Sequence, residues 1–160
     1  MKQELDSLLC EKYPKMMVNR NKDMMETCMC WGFECGDGWF NILDQLMGNI
    51  QHHIDWKEKQ RGWAITFNST ASLEDMRPVP DAIPQVTLDQ VKEKFGTLRF
   101  YYTGGDDYIS GLVAMAEAMS GVTCESCGNP GKSTGGGWIK TICEPCEEAR
   151  LHGKLINEIL

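Results

Sequence analysis

The sequence has no long hydrophobic run. No stretch reaches the roughly 18 apolar residues of a membrane span, so no membrane association is expected. The first ten residues contain Glu4 and Asp6 and lack the apolar core of a secretory signal. Bases are in short supply. Sixteen lysines and arginines stand against 23 aspartates and glutamates, a net charge of −7. General binding of nucleic acid through a basic surface is therefore not expected. There are three histidines, and there is no Walker loop, dinucleotide fingerprint or H-E-x-x-H pair. Low-complexity character is also missing. With 42% hydrophobic and 24% charged residues over 160 positions, the chain reads as an ordinary globular protein. Its length suits one domain, or one domain plus a small module.

Cysteine, by contrast, is plentiful, with eight in the chain. Cys124, Cys127, Cys143 and Cys146 form C-x2-C-x15-C-x2-C, the spacing of two knuckles that share one metal ion. Gly128 lets the first knuckle curl so that backbone amides face the sulfurs. Pro145 suits a first helical turn, and the helix dipole favours thiolates there. Knuckle, hairpin, knuckle and helix resemble a treble-clef or zinc-ribbon finger. The expected cofactor is one structural Zn2+, because four protein sulfurs leave no open coordination position. No secretion route is visible, so reduced thiols in the cytoplasm fit better than disulfides.

Three more cysteines, Cys28, Cys30 and Cys35, lie within eight residues. With His52 or His53 they offer a second metal or thiol cluster of three cysteines and one histidine. The spacing matches no common zinc motif. The preferred reading is a tight, glycine-rich connection with small buried thiols. Cys10 stands alone and reads as packing.

Hydrophobic periodicity predicts an α+β fold. Helices are expected over Gln3–Lys12, from an Asp37 cap to about Trp56 with a charged exit to a Gly62 C-cap, and from Asp106-Asp107 to Ser120. Strands are expected at 63–67, 97–102 and, within the finger, 138–142, whereas 85–95 suits either a strand or a short helix. Residues 68–84, with three prolines, read as a surface loop. The last helix carries Leu151, Leu155, Ile156 and Ile159 on one side, a face expected to pack on the main domain or on a second copy. The expected architecture is helices on a small antiparallel sheet over residues 1–120, then a zinc-finger module over 121–160.

Half or more of the acid excess falls between residues 36 and 90, where eight acids face four bases. A solvated face accounts for it, and an acidic patch for a basic partner is the sharper alternative. Lys92, Lys94 and Arg99 gather near Tyr101. Cations beside an aromatic suit a phosphate-bearing ligand or a nucleotide base, with Trp31 or Trp39 as stacking partners. An ordinary solvent face of a sheet is the plainer reading.

Three segments together carry a family resemblance: Cys28-Met29-Cys30-Trp31-Gly32-Phe33-Glu34-Cys35-Gly36-Asp37-Gly38-Trp39, the strand region from Val91 to Tyr102 with its Lys-Phe-Gly-Thr-Leu-Arg-Phe core, and the terminal Cys124-x2-Cys127-Gly128-Asn129-Pro130-Gly131 module. They resemble a family of small uncharacterised proteins of bacteriophages and prophage regions. The resemblance covers about residues 13–146 and supplies no catalytic residues. It implies a bacterial host cytoplasm and an accessory protein that blocks or sequesters a host component. The leading expectation is thus a non-enzymatic, zinc-containing inhibitor of a host protein, such as a counter-defence factor. The alternatives are a sponge for a small nucleotide signal, and a cysteine- or metal-dependent hydrolase using Cys30 or Asp37, Asp106 and Asp107.

Overall fold

The computed structural model describes the backbone of residues 1–159 and the side chains of residues 1–153. Helix α1 (Gln3–Lys12) leads into a long irregular stretch and a short 3-10 turn, Cys28–Trp31. Strand β1 (Phe33–Glu34) and a second 3-10 turn, Asp37–Trp39, precede helix α2 (Phe40–Asn68). Strands β2 (Thr87–Lys94) and β3 (Thr97–Thr103) form a hairpin, followed by α3 (Asp107–Ser120). The C-terminal segment, the expected finger, adds β4 (Lys132–Ser133), β5 (Thr141–Ile142) and α4 (Glu144–Ile159). None of these helices is long and apolar enough to cross a membrane.

The α+β class holds, but the main sheet is mixed rather than antiparallel. Its order is β1-β2-β3. β2 and β3 pair antiparallel, with Val91 opposite Phe100, and β1 joins β2 in parallel, with Phe33 opposite Val91. A parallel neighbour requires a long crossover, and α2 with its following loop supplies it. Alternation then divides the hairpin. Leu88, Val91, Leu98 and Phe100 are buried, whereas Lys92, Arg99 and Tyr101 lie on the outer face.

The buried side of the sheet meets Trp39, Leu43, Met47 and Ile50 of the α2 region and Ile109 and Val113 of α3. α3 starts where its cap predicts, with the Asp106 carboxylate accepting the Ile109 N–H at 3.0 Å. Asp37 does not cap α2. It lies in the preceding 3-10 turn and accepts the Lys2 N–H at 2.7 Å.

α2 runs 29 residues, straight through Gly62 and through the expected strand at 63–67. A mid-helix glycine costs only about 1 kcal/mol, and among the described residues no strand pairs with 63–67. The helix hydrogen bonds therefore outweigh β-rich composition. Buried positions are frequent to Ile54, and beyond it only Ala64 is buried. The loop after the helix folds back on this projecting end. Asn68 exchanges two hydrogen bonds with the Arg77 backbone, and Arg61 donates to the Pro80 carbonyl at 2.8 Å.

Candidate metal centre

The four predicted cysteines converge. The sulfurs of Cys124, Cys127, Cys143 and Cys146 all lie within 4.8 Å of one another, so they can hold one metal ion. A tetrahedral site with metal–sulfur bonds near 2.3 Å places its sulfurs about 3.8 Å apart. Cys127 and Cys143 stand at 3.5 Å. Among the described residues, no other set of three histidine, cysteine or acidic side chains converges in this way.

Local chemistry shapes each half. In the first knuckle the Gly128 N–H returns to the Cys124 carbonyl at 2.9 Å, with Gly128 at φ +81°. That left-handed turn favours glycine. The Cys124 N–H closes on the Asn129 carbonyl at 2.7 Å. β4 and β5 pair antiparallel and carry the chain to the second knuckle, whose Cys146 sits in the first turn of α4. The strand expected at 138–142 shrinks to Thr141–Ile142, since Trp138 points to solvent and Lys140 turns back to bond Thr134. On α4, Leu151 is exposed. Leu155, Ile156 and Ile159, the rest of the predicted apolar face, lie outside the described side chains.

Burial resists ionisation of Cys124, but the N–H groups of Cys143, Cys127 and Ser126 outweigh it and bring the thiol down to about 6. The Cys146 thiol is pushed up to about 12, because the sulfurs of Cys143 and Cys127 share its proton. A divalent cation offsets the mutual repulsion and displaces the remaining protons.

Residues far away in sequence hold the first knuckle. The Gly38 N–H donates to the Glu125 carbonyl at 2.8 Å, and the Gly36 N–H to the Glu125 carboxylate at 3.0 Å. The Trp39 indole donates to the Thr123 carbonyl at 2.9 Å. A Cβ on Gly38 would stand 2.2 Å from the Cys124 carbonyl oxygen and 2.4 Å from the Gly128 nitrogen. Buried Glu125 also takes Lys140 at 3.3 Å, and Thr141 donates to the Gly96 carbonyl at 2.6 Å. Residues 36–39 thus form a cradle for the metal knuckle. Sequence reasoning missed Gly36, Gly38, Glu125 and Thr141. The available signal was two glycines two positions apart beside a tryptophan, just ahead of a helix.

The second cysteine group does not assemble with histidine. Cys35 is buried in the core, and burial pushes its thiol up to about 12. The Cys30 sulfur donates to the Thr27 carbonyl, and Cys28 is exposed. His53 lies 13 residues along α2 from Phe40, about 20 Å at the helical rise. There it contacts Asp106 at 2.9 Å and stacks on Tyr108, while His52 is exposed. The Cys28–Trp31 turn is fixed by other groups. Buried Asp6 accepts the Phe33 N–H at 3.0 Å and the Arg20 guanidinium at 3.2 Å, and Arg20 reaches the Cys30 carbonyl at 2.8 Å.

The tentative ligand set is divided. Lys92 stands over the Tyr101 ring at 5.7 Å, and Lys94 over Phe95 at 5.5 Å. Arg99 is turned onto Thr97 and the Leu98 carbonyl. Trp31 is exposed, but Trp39 is fully buried and cannot stack on a ligand. Asp37, Asp106 and Asp107 form no common ligand set, since Asp106 caps α3 and Asp37 binds the Lys2 backbone. No protein-family model matches the chain, and no curated protein or solved structure is significantly similar to it.

Proposed function

We propose that the protein is a zinc-stabilised binding protein rather than an enzyme, acting as a phage or prophage accessory factor that blocks a host protein. The observation that carries this reading is the closed set of four sulfurs, clamped through Glu125 and Thr123 onto the turn between β1 and α2. Zinc held by four thiolates has no position left for water or substrate, so it acts on stability. The phage setting and the inhibitory role rest on the sequence resemblance.

The projecting end of α2 offers the surface for a protein partner. Trp56 and Trp63 are 42% and 54% exposed and meet edge to face at 5.7 Å. Arg77 covers Phe67 at 4.0 Å, and Leu73 and Met76 lie exposed in the loop that returns along the helix. Several large apolar side chains exposed on one helix end and its return loop mark an interaction site. Affinity capture from host lysates with the parent and with Trp63→Glu tests the reading. The expected result is one stoichiometric protein that the parent retains and Trp63→Glu loses at unchanged melting temperature. Equal recovery by both, or no partner from several hosts, overturns it.

A further inference from the structure

Two segments of the chain reverse its acidic balance. Residues 90–105 and 126–143 together contain Lys92, Lys94, Arg99, Lys132 and Lys140 but a single acid, Glu93. The Glu93 carboxylate is engaged by the Gly96 N–H at 2.6 Å. On the outer face of the hairpin Lys92 lies opposite Arg99 and Gln90 opposite Tyr101. Glu34 borders Lys92 from β1 and takes the Gln90 amide at 3.2 Å. Lys140 is drawn away to Glu125, and Arg99 commits one guanidinium nitrogen to Thr97 and the Leu98 carbonyl, leaving the rest of the group for a ligand.

Aromatic rings alternate with these cations. Tyr101 and Phe95 each carry a lysine above the ring and are 44% and 69% exposed. Phe95 sits at the hairpin tip with φ +55°. A bulky side chain pays conformational strain to adopt that region, and here the strained backbone turns the ring out to solvent. Trp138, in the glycine-rich loop of the finger, is 75% exposed. Phe95 and Trp138 line one cavity of about 340 Å³ together with Lys94 and Ile139. The finger thus brings a second ring to the hairpin tip.

We propose that this face binds single-stranded nucleic acid, with bases stacking on Phe95, Trp138 and Tyr101 and phosphates meeting Lys92, Lys94 and Arg99. Base–aromatic stacking flanked by cations is the general means of holding a single strand. One ring on the sheet face and two at the hairpin tip give the two or three stacking positions that single-strand binders use. From Tyr101 to Thr97 the strand rises about 13 Å, with Phe95 beyond it in the turn, more than one nucleotide needs. A duplex hides its base faces and gains nothing from the rings. The acidic remainder of the chain confines binding to this face, so the proposal does not restore general nucleic-acid binding. It stands independently of the protein partner proposed above.

Fluorescence anisotropy with a fluorescein-labelled ten-nucleotide oligothymidylate, at about 50 mM salt, tests it on the zinc-loaded full chain. The expected result is saturable binding that weakens as salt rises. Phe95→Ala and Trp138→Ala should each weaken it by roughly tenfold or more. Lys94→Ala should flatten the salt dependence by close to one phosphate contact. Both aromatic side chains are exposed, so zinc content and melting temperature should stay at parental values, and this is checked in the same preparations. Thymidine monophosphate should compete far more weakly than the oligonucleotide. Equal competition by the mononucleotide overturns the single-strand reading in favour of a nucleotide pocket. Absence of binding, or binding indifferent to both aromatic substitutions, also overturns it.

Discussion

Adding one methyl group at Gly38 should unseat the finger, although Gly38 is 86 positions from Cys124. The Cβ would lie 2.2 Å from the Cys124 carbonyl oxygen, 2.4 Å from the Gly128 nitrogen and 2.7 Å from the Cys127 nitrogen. All three are backbone atoms of the knuckle and cannot rotate away. Relieving the clash requires the seam to open by about 1 Å. Three hydrogen bonds cross that seam, from Gly36, Gly38 and the Trp39 indole. At about 1 kcal/mol each, their loss removes about 3 kcal/mol. For a chain of this size that lowers the melting temperature by roughly 6–12 °C. By linkage, zinc affinity can fall by up to about 150-fold if the whole docking energy is coupled to metal binding. Gly62→Ala is the matched control. Its Cβ meets nothing within 4 Å in the middle of α2, so it should stabilise by about 0.5–1 kcal/mol. Calorimetry and competition with a chromophoric chelator read both variants. A Gly38→Ala protein that melts within a degree of the parent and binds zinc equally well would refute the cradle.

The metal-loaded protein should carry about one zinc per chain by elemental analysis, and chelation should lower its melting temperature by well over 5 °C; a zinc-free preparation of unchanged stability would contradict this. Asp44 accepts from Lys12 and from the Tyr13 hydroxyl, both at 2.7 Å. Burial opposes its ionisation, but these donors outweigh burial and hold its carboxyl below the usual range. Because the folded value is the lower one, the contribution is present above the ordinary aspartate value near 3.9 and is lost as pH falls through the depressed value. Asp44→Asn should therefore cost about 1 kcal/mol at pH 7, with the gap to the parent closing in acid, as read by urea unfolding across pH. Asp6→Ala should cost about 3 kcal/mol, since it strands the Arg20 guanidinium and the Phe33 N–H in partly or fully buried surroundings; a loss under 1 kcal/mol in the same assay would count against the clamp.

Much of the fold was legible because its signals are local. α1 and α3 have short amphipathic repeats, and α3 carries its own cap at Asp106. Thr97 to Tyr102 combines β-branched and aromatic residues with clean alternation, and it forms β3. The cysteine quartet was legible from spacing, since two knuckles of fixed geometry leave one arrangement. The end of α2 was not, because the β-rich composition of residues 63–67 competes with a helix already propagating from Phe40. The parallel pairing of β1 was hidden in two residues that gain their partner only from Val91 and Lys92. The cradle was hidden for the same reason: Gly36 and Gly38 look like turn residues until Glu125 arrives to meet them. Trp39 was drawn toward a ligand role by its neighbours, whereas its indole is committed to Thr123.

The distance between cradle and knuckle also sets an order of events. Translation delivers the amides of Gly36 and Gly38 and the Trp39 indole more than eighty residues before Thr123 and Glu125, their acceptors. Until then the start of α2 has donors without acceptors, and the Trp39 ring lacks part of its cover. The first knuckle is thus a latch whose acceptors are synthesised after the donors they meet. If a bound metal ion holds the latch shut, its removal should raise protease sensitivity around residues 36–39.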